Sequence, residues 1–202
     1  MKRAFDFIVS AVALVILSPL LVGLALLIRL RMGSPVLFRQ TRPGLHGQPF
    51  EMIKFRTMTD QTDQHGNLLS SKDRITSFGK FLRRTSLDEL PELINVIRGD
   101  MSLVGPRPLL PAYLPFMTQR EMSRHQIRPG ITGWAQVNGR NSLSWEKRFD
   151  CDIWYIENQN LFLDFQILVR TLRHAMSGKD VDSQNGPTME RLDIQRSGRR
   201  LQ

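Results

Sequence analysis

The sequence predicts a mixed α/β chain, mainly helical, in which an N-terminal membrane helix precedes one small domain with a short β-hairpin. Three observations predict it. Residues 7–28 form an uncharged apolar run of 22 residues; two strand-like segments follow, joined by a turn; and later stretches carry apolar residues at helical spacing.

As a helix the apolar run would be about 33 Å long, enough to cross a hydrocarbon core of roughly 30 Å. Lys2 and Arg3 precede it and Arg29 and Arg31 follow, so positive charge flanks both ends, whereas a spanning helix normally concentrates it on the cytoplasmic side. At the centre stands Ser18-Pro19. Pro19 removes one backbone donor and clashes with the carbonyl of Val15, and the Ser18 hydroxyl can bond a carbonyl so freed. The residues leave two arrangements open: a straight or kinked span, and a dip that re-enters the same face. A cleaved signal peptide fits less well, because the run exceeds the usual apolar length.

The remaining residues are enough for one compact domain. The chain of 202 residues carries a net charge of +9 and a pI near 10.6, a balance that seeks phosphate on nucleic acid, lipid headgroups or a small molecule. Cys151 stands alone, which excludes an internal disulfide framework and a cysteine-based zinc cluster and suits a reducing compartment.

Residues 36–40 and 49–58 read as strands, joined across 41–48 by turn residues Pro43, Gly44 and Gly47. In the second strand Lys54 and Arg56 lie two apart and leave one face, either as a solvated edge or as two cations aimed at a phosphate. Residues 59–73 are polar and turn-rich, a loop able to close over a substrate. Ile75, Phe78, Phe81 and Leu82 keep helical spacing, as do Leu90, Leu93, Ile94 and Ile97. Between them Ser86-Leu87-Asp88-Glu89 has the form of a capping box, although Pro91 favours a helix start nearer Asp88. Either start puts Asp88 and Glu89 at a helix N-terminus, where partial positive charge keeps carboxylates ionised. Alone, that pattern means capping and nothing more.

Gly105-Pro106-Arg107-Pro108 changes the weighting. Proline on both sides restrains one arginine, and a rigid guanidinium fork suits bidentate phosphate binding. In residues 128–140, Arg128, Gly130, Thr132, Gly133 and Arg140 surround Trp134; N–H groups, cations and an aromatic ring would suit a nucleotide, and a turn-rich loop with a packed Trp is the plainer alternative. Residues 109–125 and 161–175 look amphipathic, fit for a core or for lying in the headgroup plane. Residues 178–202 read as a polar, flexible tail.

Together the segments KRAFDFIVSAVALVILSPL, KFRTM, SLDELPELINVIRGDMSLVGPRP and RPGITGWAQVNGR resemble the bacterial sugar transferase family, the small monotopic phosphoglycosyl transferases. The likeness covers nearly the whole chain except the tail. It implies a re-entrant helix broken at Ser18-Pro19 over residues 1–31, a catalytic domain over 32–177 with a β-hairpin and interfacial helices, and the minimal catalytic form without further spans. The implied reaction moves a phosphosugar from a UDP-sugar to a polyprenyl phosphate (undecaprenyl phosphate) with release of UMP and a requirement for Mg²⁺, on the cytoplasmic face of the bacterial inner membrane. The family's Asp-Glu dyad falls on Asp88 and Glu89, its strand lysine on Lys54 and its Pro-Arg-Pro arginine on Arg107. Asp88 is the candidate nucleophile, and Glu89 is expected to help hold Mg²⁺ or orient Asp88. Lys54, Arg56 and Arg107 would take the diphosphate, and Arg128, Gly130, Thr132, Gly133 and Arg140 the uridine end. A membrane-tethered nucleic-acid or lipid binder without catalysis is the rival class; no nucleic-acid motif supports it.

Overall fold

A computed structural model describes residues 1–139, 142–177 and 190–200. Helix α1 (Lys2–Met32) is followed by an antiparallel hairpin, β1 (Leu37–Pro43) and β2 (Pro49–Phe55), in register from Leu37 opposite Phe55 to Pro43 opposite Pro49. Short α2 (Ser71–Arg74) and α3 (Ser77–Arg84) lead to a 3-10 turn, Leu87–Glu89, and to α4 (Glu92–Arg98). Strands β3 (Ser102–Val104) and β4 (Gly130–Thr132) pair in parallel, and between them lie 3-10 turns and α5 (Gln119–Met122). Then come α6 (Trp134–Val137), α7 (Trp145–Asn158), α8 (Leu161–Ser177) and α9 (Leu192–Arg200). The fold is thus helix-rich with two small sheets, and α1 is the one described helix long and apolar enough to cross a membrane.

Three apolar clusters hold it together. Met52, Val96, Met101, Val104, Tyr155 and Ile167 centre the first, and Phe5, Val9, Leu14 and Leu17 of α1 pack on it. Leu24 and Ile28, farther along the same helix, join Phe55 and Leu82 in another. Polar ties fix the helix start. Buried Asp6 accepts from Ser102 Oγ (2.7 Å) and Leu103 N (3.3 Å); Lys2 pairs with Asp164, and Arg3 donates to the carbonyls of Val96 and Ile97. By its hydrogen bonding α1 runs unbroken through Pro19, and Ser18 Oγ donates to the Val15 carbonyl at 2.7 Å, the oxygen whose helical donor proline removes. The exposed side carries Ile8, Val12, Val15, Ile16 and Leu26.

Several local expectations change. Residues 109–125 are no single helix, because Pro111 and Pro115 break them into 3-10 and short helical turns. In α8 the residues facing inward are Leu163, Asp164 and Ile167, while Leu161, Phe165 and Leu172 face out, so the helix is apolar on two sides. Asp164 is spared its burial penalty by Lys2 and by the Tyr155 hydroxyl. Within the stretch read as a tail, α9 docks by Leu192 among Leu109, Tyr113, Trp145 and Phe149, and Arg196 forks onto both Glu121 oxygens at 2.7 Å.

Candidate active site

Four segments converge on one cluster of charges. β2 delivers Lys54, the 3-10 turn delivers Asp88 and Glu89, α4 delivers Glu92, and the loop after β3 delivers Arg107. Ser86 holds a left-handed conformation (φ 55°) and makes no side-chain cap, so the expected capping box does not form and α4 starts after Pro91. The left-handed residue turns the chain so that Asp88 and Glu89 sit ahead of the helix rather than on it.

Glu89 is the hub. Its Oε1 lies 2.7 Å from Lys54 Nζ and also accepts from Arg107 Nη2, while Oε2 accepts from Arg107 Nη1 at 3.2 Å. Lys54 Nζ is also 3.0 Å from Oε1 of Glu92, a residue 1% exposed. Burial opposes ionisation of Glu89, but Arg107 and Lys54 outweigh it and hold its pKa below the usual carboxylate range. Glu89 in turn raises the pKa of Arg107. Glu92, pushed up to about 7 by burial and then by the Glu89 charge, is the weaker partner of Lys54.

Asp88 behaves differently from its neighbour. No hydrogen bond or ion pair from the described residues occupies its carboxylate, and its pKa rises to about 6 through burial and then the Glu89 charge, against the pull of Lys54, Arg83 and Arg107. What sets the Asp88 pKa is thus burial and the Glu89 charge, which disfavour the carboxylate, and not the helix-terminal pull toward the charged form. Arg83 was not singled out from the sequence. It is placed by α3, whose Gly79 lies so close to Thr57 that an added Cβ would sit 1.9 Å from that carbonyl oxygen, and Arg83 Nε donates to Thr57 Oγ1 at 3.0 Å.

The remaining residues divide. Arg56 is not in the cluster: its guanidinium donates to the carbonyls of Met58 and Ser34 (both 2.8 Å) and Met32 (3.2 Å) and pairs with Asp60, so it clamps the end of α1. One residue past the end of β2, it serves the anchor and not the site. Arg128 Nε donates to the Gly99 carbonyl at 2.7 Å. Gly130 N is spent on Pro106 O (3.0 Å), and a Cβ on Gly130 or Gly133 would fall 2.1 Å from Gly105 N or 2.2 Å from Gly105 O. These glycines let β4 press against the segment that carries Arg107, a packing role where exposed donors had been expected. Trp134 stacks on Trp154 (4.6 Å between centroids), and the Arg170 guanidinium lies over the Trp134 ring, 5.3 Å from its centroid. Arg140 lies outside the described residues.

A cleft of about 430 Å³ opens beside the cluster, running from Ser86, Leu87, Glu89 and Arg107 to Thr132, Thr171, Arg124 and Asp152. Arg124 and Asp152, 3% and 2% exposed, pair at 2.7 Å, and Arg124 Nη2 also holds the Arg107 carbonyl at 2.8 Å. Neither stood out in the sequence; an acid inside the apolar spacing of residues 145–158 was the available signal. Among the described residues no group of three or more His, Cys, Asp or Glu gathers as a metal cage. Mg²⁺ is commonly held by one or two carboxylates together with substrate phosphates, and the hard oxygen donors of adjacent Asp88 and Glu89 fit that mode.

Residues 1–178 match the family model described as Bacterial sugar transferase. The "Uncharacterized sugar transferase EpsL" of Bacillus subtilis (strain 168) is 50% identical over 192 residues, 95% of each chain. A UDP-glucose:undecaprenyl-phosphate glucose-1-phosphate transferase of Escherichia coli (strain K12) is 41% identical over 182 residues, which cover 85% of this chain and 39% of that protein. A transferase of the same name from Caulobacter vibrioides is 42% identical over 181 residues, 85% of this chain and 68% of its own length.

Proposed function

We propose, for a chain that belongs to the bacterial sugar transferase family and is a transferase, that it moves a phosphosugar from a UDP-sugar to a membrane polyprenyl phosphate through a covalent intermediate on Asp88. The observation that carries the reading is the contrast between the two adjacent carboxylates. Glu89 is ionised and gripped by two cations; Asp88 is buried, unengaged and titrates near 6. An unengaged carboxylate beside cations is what attack on a diphosphate needs.

Lys54 and Arg107, paired with Glu89 in the free protein, would take the diphosphate oxygens. An Asp88 oxygen forms a bond to the phosphorus attached to the sugar while the bond from that phosphorus to the UMP oxygen breaks, and UMP leaves. An oxygen of the polyprenyl phosphate then attacks the same phosphorus and frees the Asp88 carboxylate. Two steps avoid bringing two anionic substrates together in one. Asp88 and Glu89 would hold Mg²⁺, which supplies charge neutralisation on the diphosphate. The cleft wall of Thr132, Arg124 and Asp152 would receive the rest of the nucleotide sugar.

The anchor is proposed to re-enter the cytoplasmic face. Its support is that α1 touches one domain along its length, Asp6 on Ser102 near one end and Ile28 beside Phe55 and Leu82 near the other. A helix crossing the bilayer would hold those ends about 30 Å apart across hydrocarbon, and the polar domain would have to follow. The outward apolar side chains of α8 suit the headgroup plane.

UMP release from a panel of UDP-sugars, with polyprenyl phosphate and Mg²⁺, tests the reading. One or a few UDP-sugars should give lipid-dependent turnover. No release with any of them, from protein that remains folded, would refute it.

A further inference from the structure

The hairpin face that carries Lys54 carries a second cation. Phe38 stands opposite Lys54 and Arg42 opposite Phe50, and alternate residues share a face, so Gln40, Arg42, Met52 and Lys54 project together toward α4. Lys54 on that face is matched by Glu89 and Glu92. Arg42 is not matched. Its Nη2 donates to Gln40 Oε1 at 2.6 Å, its Nε is buried without a hydrogen-bond partner, and it has no ion pair among the described residues. The charges that act on it most are Arg107, of like sign, and Glu92, which is already shared with Lys54; burial and then Arg107 hold its pKa below the ordinary arginine value.

A half-buried guanidinium with no carboxylate partner, in the field of a second guanidinium, is unfavourable in the free protein, and an anion bound to it reverses the sign. Sites that break a local rule in this way are expected where a ligand completes them. We propose that Arg42 is a phosphate-binding residue of the substrate site, a third cation after Lys54 and Arg107 that takes a phosphate oxygen on its unpartnered Nε–H side. The proposal rests on the phosphosugar-transfer reading of the same cluster. The chemistry is that of a phosphate monoester or diphosphate, so either the nucleotide diphosphate or the lipid phosphate would satisfy it. Nothing in the sequence marks the residue, which falls in the stretch read as a turn between strands.

The test uses the full chain in detergent micelles and reads its thermal midpoint against inorganic pyrophosphate and, separately, against a short-chain prenyl monophosphate. Arg42→Gln keeps the bond to Gln40 within reach and removes the charge; Arg42→Lys restores charge without the fork. The half-saturating concentration for one of the two ligands should rise about tenfold or more in Arg42→Gln, the worth of one charge-assisted hydrogen bond, and less in Arg42→Lys. The ligand affected names the subsite. Without ligand, Arg42→Gln should melt at or above the wild type, since a repulsive neighbour of Arg107 is gone. A lower midpoint without ligand would mean a structural arginine and overturn the proposal. So would unchanged half-saturation for both ligands, or a wild type that neither ligand stabilises. Because these readouts involve no turnover, they stand or fall apart from the covalent mechanism.

Discussion

Replacing Asp88 by Asn should remove activity and strengthen the fold, and the size of the second effect follows from the site. The carboxyl has its pKa raised to about 6 in the folded protein, against about 3.9 for a free aspartate, and each tenfold is about 1.4 kcal/mol, so an ionised Asp88 costs about 3 kcal/mol. Asp88 is 8% exposed, so solvent screens little of this. Below about pH 4 the group is protonated in both folded and unfolded chains and nothing is lost. Between about pH 4 and 6 the unfolded chain releases its proton while the folded chain keeps it, so wild-type stability falls as pH rises, levelling above about pH 7. Asn is neutral throughout. Denaturant titrations in micelles should therefore show Asp88→Asn and wild type equal near pH 4 and the variant ahead by up to about 3 kcal/mol at pH 8. The lipid-free rate of UMP release in the wild type should fall as pH is lowered through the titration of Asp88 in the Mg²⁺-loaded enzyme, because the carboxylate is the attacking form. A variant less stable than wild type at pH 8 would refute the idea that Asp88 is desolvated in the fold.

Arg107→Lys keeps a charge but cannot fork onto both oxygens of Glu89, so turnover should drop by about tenfold or more; near-normal turnover would reduce Arg107 to a general cation. With Cys151 replaced, a cysteine at position 2 should resist impermeant thiol reagents outside intact cells, whereas strong external labelling would exclude a re-entrant anchor. Leu192→Ala should cost about 2–4 kcal/mol in denaturant titrations, as for other fully buried leucines, because the side chain is 0% exposed; a cost below 1 kcal/mol would mean that α9 does not stay docked.

How far the sequence could be read depends on the range of the interactions involved. The hairpin was legible because its turn residues and alternation are local. The acidic pair and Pro-Arg-Pro were legible as motifs, but their meeting was not: Lys54, Glu89 and Arg107 are joined by contacts 18 to 35 residues apart. Arg56 shows the limit of face arithmetic. Alternation puts it on one face with Lys54, yet β2 ends at Phe55 and the backbone carbonyls of Met32, Ser34 and Met58 capture its guanidinium, which no periodicity reports. The close approach of Gly130 and Gly133 to Gly105, which their missing Cβ permits, is visible only once β3 and β4 lie side by side. The raised pKa of Asp88 was not legible, because burial is set by the assembled domain. Asp6, Asp164, Glu92 and Arg124 escaped for the same reason: a buried charge is identified by its partner, and each partner is distant in sequence.

The most direct measurement is the first half-reaction alone. Enzyme, Mg²⁺ and a turned-over UDP-sugar are mixed without polyprenyl phosphate, UMP is counted, and the protein is examined by intact-mass and peptide mass spectrometry. The account predicts up to about one UMP per active site and a phosphosugar adduct on Asp88, both absent in Asp88→Asn. UMP that appears only when the lipid is present, with no adduct, would contradict it and leave direct attack by the lipid phosphate as the mechanism.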